Sequence, residues 1–331
     1  LKKFKFQATA GILSLLLLAG CGADKTDDKA EKDGADKEKA YTVGLTQYVQ
    51  HPSLDEATKG FKAALKEEGI KVKYDETNAQ NDANNTMTIA NQYVSQGVDL
   101  IFANATPSAQ AAANATKDIP VVFTSVTDPV GAKLVQSMEK PGGNVTGTSD
   151  ANPEAIANTV KFIAEQMGAK KVGTVYNTGE QNSVTQVKSV KKEVEKAGMT
   201  LVEKSVSTSA DVKQATESLG DVDAIYIITD NTVVSALDSV IMVANEKDIP
   251  LFVGELDSVK KGGFAAYGFN YYDIGHQAGT MAAEILRDGK KPADIPVQFP
   301  EKVQLVINEK AAKEMGITIK EEWKKDAEII K

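Results

Sequence analysis

Val98-Asp99-Leu100-Ile101-Phe102 is answered further along the chain by Val222-Asp223-Ala224-Ile225-Tyr226, and Lys117-Asp118-Ile119-Pro120-Val121 by Lys247-Asp248-Ile249-Pro250-Leu251. A pair of segments repeated in the same order marks one structural unit written twice. Outward from it, Val43-Gly44-Leu45-Thr46 reads as a strand, followed by a helix carrying Phe61 and Leu65, a stop at Gly69 and a strand around Val72. Residues 172–202 repeat that pattern, with strand Val172-Gly173-Thr174-Val175, helix positions Val187, Val190 and Val194, a stop at Gly198, and Leu201-Val202 opening the next strand. Both halves therefore run βαβαβαβ. Continuously apolar strands such as Val121-Val122-Phe123 and Ile225-Tyr226-Ile227-Ile228 suit a parallel sheet covered on both faces. Right-handed crossovers then give two doubly wound α/β domains, with a ligand expected beyond the carboxyl ends of the strands.

The Gly142-Gly143-Asn144-Val145-Thr146-Gly147 stretch ends the first unit and is expected to be a hinge crossing. A second crossing is expected over residues 268–272, followed by a helix over 273–286 that returns to the first domain, and a third near residues 300–303. The domains expected are residues 41–147 plus 270–302 and residues 148–269 plus 303–331. About 290 residues lie from Ala40 onward, enough for two cores.

Lys2, Lys3 and Lys5 precede an apolar run over residues 8–19, and Leu18-Ala19-Gly20-Cys21 ends it at the only cysteine of the chain. Residues 1–20 read as a signal peptide and Cys21 as a lipidation site, palmitate included, because the run is short for a membrane span and two small residues precede the thiol. Residues 24–39 hold Asp, Lys, Glu, Ala and Gly almost alone, so residues 21–40 are expected to be a disordered tether. A lipidated Cys21 leaves no cysteine for an intrachain disulfide. A net charge of −8 with scattered lysines argues against nucleic acid. No glycine-rich phosphate loop, cysteine pair or His-x-x-x-His occurs, and the two histidines, His51 and His276, have no local nucleophile partner. Catalytic residues, cofactor and metal are accordingly not expected.

The candidate site lies in the loops after the strands. Gln47 and Tyr48 follow the first, where Ser53 and Glu56 read as a capping box. Thr106 and Ser108 follow the third, with Thr106 suited to an N-cap and Pro107 to the first turn; such a helix start presents N–H groups to an anion. Ser125, Thr127 and Asp128 follow the fourth. In the second unit the corresponding loops carry Asn182 and Ser183, then Asp230 and Asn231, then Glu255. Carboxylates facing a hydroxyl-lined helix start complement a zwitterion, the amine going to Asp230 or Glu255 and the carboxylate to Thr106 and Ser108. Either acid can equally be a cap or a solvated loop residue. Tyr48, Tyr176, Tyr267, Phe269, Tyr271 and Tyr272 lie in or beside cleft loops or hinges; Tyr271 is taken as a ligand residue and Phe269 as core.

His51-Pro52-Ser53-Leu54-Asp55, Ala105-Thr106-Pro107-Ser108-Ala109-Gln110, Thr127-Asp128-Pro129, the Lys140–Gly147 stretch Lys140-Pro141-Gly142-Gly143-Asn144-Val145-Thr146-Gly147, Asp230-Asn231-Thr232 and Tyr272-Asp273-Ile274-Gly275 resemble the solute-binding lipoproteins of ABC importers, in the family that includes tryptophan and tyrosine receptors. The resemblance runs from about residue 41 to 319. It implies the periplasmic-binding-protein type I fold, a monomer on the extracytoplasmic face of a bacterial membrane, and delivery of a small ligand to an ABC permease with its ATPase. An aromatic amino acid is the ligand it points to. A branched-chain amino acid, sugar or nucleoside stays open, as does a sensor reporting to a membrane kinase or chemoreceptor.

Overall fold

The computed structural model describes residues 40–300 and 302–331. The expected signal peptide, Cys21 and the expected tether lie outside the described residues. The first lobe is built from β1 (Tyr41–Gln47), α1 (Pro52–Glu67), β2 (Val72–Asn78), α2 (Ala83–Gln96), β3 (Leu100–Asn104), α3 (Thr106–Ala115), β4 (Val121–Val126) and β5 (Val145–Ser149). Its strands pair in the order β2-β1-β3-β4-β5, all parallel. Every residue of β3 and β4 is buried, as the unbroken apolar runs require of a sheet covered on both faces.

The second lobe holds α4 (Pro153–Gln166), β6 (Lys171–Asn177), α5 (Gln181–Lys196), β7 (Thr200–Val206), α6 (Val212–Glu217), β8 (Ala224–Ile227), α7 (Asn231–Ser235), α8 (Leu237–Glu246), β9 (Leu251–Val253), α9 (Leu256–Lys261) and β10 (Ala265–Gly268). The chain then forms α10 (Tyr271–Asp288) on the first lobe and comes back as β11 (Gln304–Asn308), α11 (Glu309–Glu314) and β12 (Ala327–Ile330). The sheet order is β12-β11-β10-β9-β8-β6-β7. This sheet is mixed, because β11 runs antiparallel to β10. The cause is the route: a strand entering from the first lobe starts at the cleft and must run away from it, whereas β10 ends there.

The Gly142–Gly147 stretch is not itself the crossing. Val145 to Ser149 pair with β4, and the chain leaves the first lobe over residues 150–152. Its glycines serve the sheet instead: Gly142 and Gly143 turn with φ of 67° and 79°, and a Cβ on Gly147 would stand 2.0 Å from the Phe123 carbonyl oxygen. The second change of lobe occupies Phe269 and Asn270, so Tyr271 and Tyr272 already belong to α10.

Each lobe has its own core. In the first, the Phe61 and Phe102 rings stack with centroids 3.8 Å apart. In the second, Phe162 packs at 5.0 Å from Trp323, whose indole N–H donates to Gln166 Oε1 at 2.9 Å. Burying side chains of this size stabilises by about 1.5–3 kcal/mol each.

The returning helix is held to the first lobe by backbone proximity. On α1 and α10 a Cβ at Gly60 would lie 2.1 Å from the Tyr272 carbonyl oxygen, and one at Gly275 would lie 1.9 Å from that of Ala57. Gly275→Ala should therefore force the helices apart, at about 1–3 kcal/mol for overpacking. A lowered denaturant midpoint is expected, and an unchanged one would mean that α1 and α10 do not need this contact.

Candidate functional site

The carboxyl edges of the two sheets face each other, and hydrogen bonds cross between them. Ser53 Oγ donates to Glu255 Oε2 at 2.6 Å, Thr232 Oγ1 to Asn81 Oδ1 at 3.0 Å, and Gln186 Nε2 to Thr127 Oγ1 at 2.9 Å. His51 Nε2 meets Asn231 Oδ1 at 3.4 Å, and Gln181 Nε2 donates to Asp128 Oδ2 at 3.4 Å. The lobes are therefore closed on one another. Between them lies a cavity of about 350 Å³, lined from the first lobe by Thr127 and Asp128, from the two crossings by Asp150 and Phe269, and from the second lobe by Gln186 and Thr229 among others. That volume is within the range of small-molecule sites.

The helix starts differ from the sequence expectation. Ala105, not Thr106, occupies the N-cap of α3, with φ 84°, and makes no side-chain cap; Thr106 is the first helical residue. Likewise His51 is the N-cap of α1, and Ser53 and Glu56 form no capping box: Ser53 bonds Glu255, and Glu56 pairs with Lys59. The left-handed backbone of Ala105 recurs at Ser125, φ 57°, on the neighbouring strand end. Such positions cost about 1–3 kcal/mol and persist only where the surroundings dictate them. Here they place two buried hydroxyls, Thr106 Oγ1 and Ser125 Oγ, that have no hydrogen-bond partner among the described residues. Ser108 Oγ accepts from Thr46 at 3.5 Å.

The remaining candidates separate into two groups. Gln47 is bound within the first lobe, donating to Asp55 Oδ1 at 2.7 Å and accepting from Thr58 at 2.8 Å. Tyr48 is buried, its hydroxyl reaching the Asn81 carbonyl at 3.4 Å. Tyr176 and Tyr267 pack against the second lobe's core, away from the cavity. Thr127 and Tyr271, by contrast, converge on Asp150, donating to its two oxygens at 2.8 Å each. Asn182 gives its amide to Glu180 Oε2 at 3.3 Å, and its carbonyl oxygen is buried without a partner among the described residues. Ser183 bonds Asp230. Asp230 is a helix cap: its oxygens accept the backbone N–H groups of Val233 at 2.8 Å and Asn177 at 2.6 Å. Glu180 serves the same end of α7, accepting from Thr232 N at 3.0 Å and Asn231 Nδ2 at 2.6 Å.

Asp150, Glu180, Asp230 and Glu255 are thus buried around the cleft, and a fifth buried acid, Asp257 on α9, pairs with Lys260 at 2.8 Å. Burial pushes Asp150 up to about 6 and Glu255 up to about 7, and burial together with the Glu180 charge pushes Asp230 up to about 7. His51 is pushed down to about 4 by burial and is neutral at pH 7. His276 is on the outside of α10, paired with Glu67 at 2.8 Å. Among the described residues no cluster of side chains could hold a metal ion. Asp150, Glu180, Gln186 and Thr229 escaped the sequence reading. For Asp150 the signal was present: it follows a strand end as Asp128 does, but the strand was taken for a crossing.

Two outcomes follow from these partners. Asp230→Ala leaves the buried N–H groups of Val233 and Asn177 unsatisfied, so the melting temperature should fall, at about 1–3 kcal/mol per orphaned donor. An unchanged melt would show that water replaces the carboxylate. Glu255 has a folded pKa, about 7, above its ordinary 4.5, so its stabilising contribution is complete below about 4.5 and is lost as pH rises through about 7. Thermal melts across that window should show a shallower loss for Glu255→Gln than for the parent chain.

A family model described as ABC transporter substrate binding protein matches residues 42–331. The tyrosine-binding protein of Clostridioides difficile strain R20291 is 45% identical over 323 residues, covering 96% of this chain and 93% of that protein. A crystal structure of the ABC domain in complex with L-Trp from Streptococcus pneumonia superposes with TM-score 0.84 at 38% identity, over 88% of this chain and all of the other. A ligand-free, open substrate binding protein with adhesive properties from Clostridium difficile gives TM-score 0.65 at 40% identity, over 88% of this chain and 99% of the other. With identity nearly equal, the lower score against the open form agrees with the bonds across the cleft: this chain has the closed arrangement. The match over residues 42–331 and the relative at 45% identity make the chain a member of the ABC transporter substrate binding protein family.

Proposed function

We propose that this protein receives an aromatic L-amino acid between its lobes and delivers it to an ABC permease and its ATPase while anchored to the membrane by lipid on Cys21. The observation that carries the ligand class is the polarity of the cleft. On the first lobe, Thr106 and Ser125 offer unpartnered buried hydroxyls at the start of α3, whose first N–H groups have no intrahelical acceptor. Around the crossing and the second lobe the buried groups are acceptors: the carboxylates of Asp150 and Glu255 and the unpartnered carbonyl oxygen of Asn182. A molecule with a carboxylate at one end and an ammonium at the other satisfies both sides. The relatives that bind tyrosine and tryptophan support an aromatic side chain. The anchor is supported by the sequence Leu18-Ala19-Gly20-Cys21 after its apolar run.

Calorimetric titration with L-Trp, L-Tyr and L-Phe, beside L-Leu and galactose, tests the reading. Saturable heat with at least one aromatic amino acid and none with the sugar is expected; the reverse would end it. Thr106→Val should weaken that binding about tenfold or more, since a hydrogen bond to a charged group contributes about 1.5–3 kcal/mol.

A further inference from the structure

We infer that Asp150 takes the ligand's ammonium group and ties its occupancy to the hinge. The inference rests on the amino-acid reading above and assigns the amine to a residue other than the two singled out in the sequence.

Of the buried acids, Glu180 is compensated by backbone N–H groups at the start of α7, and Asp230 by one there and by that of Asn177 at the end of β6. Asp150 is bonded to neutral hydroxyls, one on each oxygen, from Thr127 and Tyr271. An ionised carboxylate has about four lone-pair sites, so acceptor capacity remains. The charge acting most on Asp150 is that of another acid, Glu255. The cavity's one basic lining side chain among the described residues, Lys192, is exposed on α5 beside Glu193. A buried carboxylate in such surroundings is costly unless a cation joins it. A second acceptor stands close by in the fold: Asn182 lies one turn before Gln186 on the same face of α5, Gln186 lines the cavity with Asp150, and the buried Asn182 Oδ1 has no partner. Two buried acceptors with spare capacity, neither bonded to a cationic side chain, fit a ligand that brings N–H groups and positive charge.

The position of Asp150 gives the second half of the inference. It is the first residue after β5, in the first crossing, and Tyr271 is the first residue of α10, just past the second. Their 2.8 Å bond joins the two crossings directly. From Asp150 the chain of bonds continues through Thr127 to Gln186 on the other lobe. An ammonium that keeps Asp150 ionised strengthens both hydroxyl bonds, because hydrogen bonds to a charged acceptor are roughly twice as strong as neutral ones. Tyr271 is in this scheme a positioning residue.

The test compares an aromatic amino acid that binds with its des-amino analogue, the 3-arylpropanoate. The parent protein should prefer the amino acid by about thirtyfold or more, the loss expected when one partner of a buried charge pair is missing. Asp150→Asn, or Asp150→Ser should the amide not fit, should abolish most of that preference by weakening the amino acid and not the analogue. Retention of the parent preference in a folded Asp150 variant, or its loss in Glu255→Gln alone, would overturn the assignment. Tyr271→Phe should keep the preference and release ligand faster in stopped-flow dissociation; an unchanged release rate would overturn the hinge link. Failure of every amino acid to bind the parent protein would instead remove the proposed function itself.

Discussion

Negative charge buried between two lobes is the constraint on which the arrangement depends. Asp150, Glu180, Asp230 and Glu255 are all buried in the closed arrangement, and an isolated carboxylate in that setting is costly. The protein answers in two ways. Glu180 and Asp230 sit against the N–H groups that begin α7 and bind Asn177, so their charge is met by backbone dipoles and by the loop after β6. Asp150 and Glu255 are met by hydroxyls, which carry no backbone dipole to set against the charge, and burial raises the pKa of Asp150 to about 6 and of Glu255, like that of Asp230, to about 7. A closed form of this kind is favoured by a cation or by protons, which is the ground on which the ammonium of the proposed ligand is assigned to Asp150.

The fold makes that charge movable. Each lobe is stiff, with strands buried on both faces and aromatic residues packed beneath them. The bonds between lobes are few and polar, and individually they contribute about 0.5–1.5 kcal/mol. A small differential interaction with the ligand is enough to shift the balance between open and closed. The return of α10 to the first lobe makes the crossings work as a unit. Its glycines let it lie against the backbone of α1, so Tyr271 at its start is fixed relative to the first lobe.

The antiparallel strand β11 shows the same geometry from another side. Three passages between lobes leave the chain at the cleft when it enters the second lobe for the last time, and only a strand leading away from the cleft can extend the sheet from there. The chain ends in the second lobe as β12, parallel to β11, with Trp323 closing the core beneath.

The linear sequence determined the parallel α/β architecture, because it depends on local periodicity and on repetition: buried strands read as apolar runs, and Val98–Phe102 and Val222–Tyr226 announce the same unit twice. It also determined which residues stand at or just after the strand ends, Thr106, Ser125, Thr127 and Asp230 among them, since strand ends can be read from where apolar runs stop. What each of those residues does was decided by tertiary structure. Asp230 and Glu255 are both acids after strands, yet one faces two backbone N–H groups and the other a serine from the opposite lobe. Asp150 was hidden behind a glycine-containing stretch whose glycines serve a turn and a close strand contact, neither of which has a local signature distinct from a hinge. The pairing of Asp150 with Tyr271 spans 121 residues, and it exists because two crossings lie side by side in space, which no local pattern encodes.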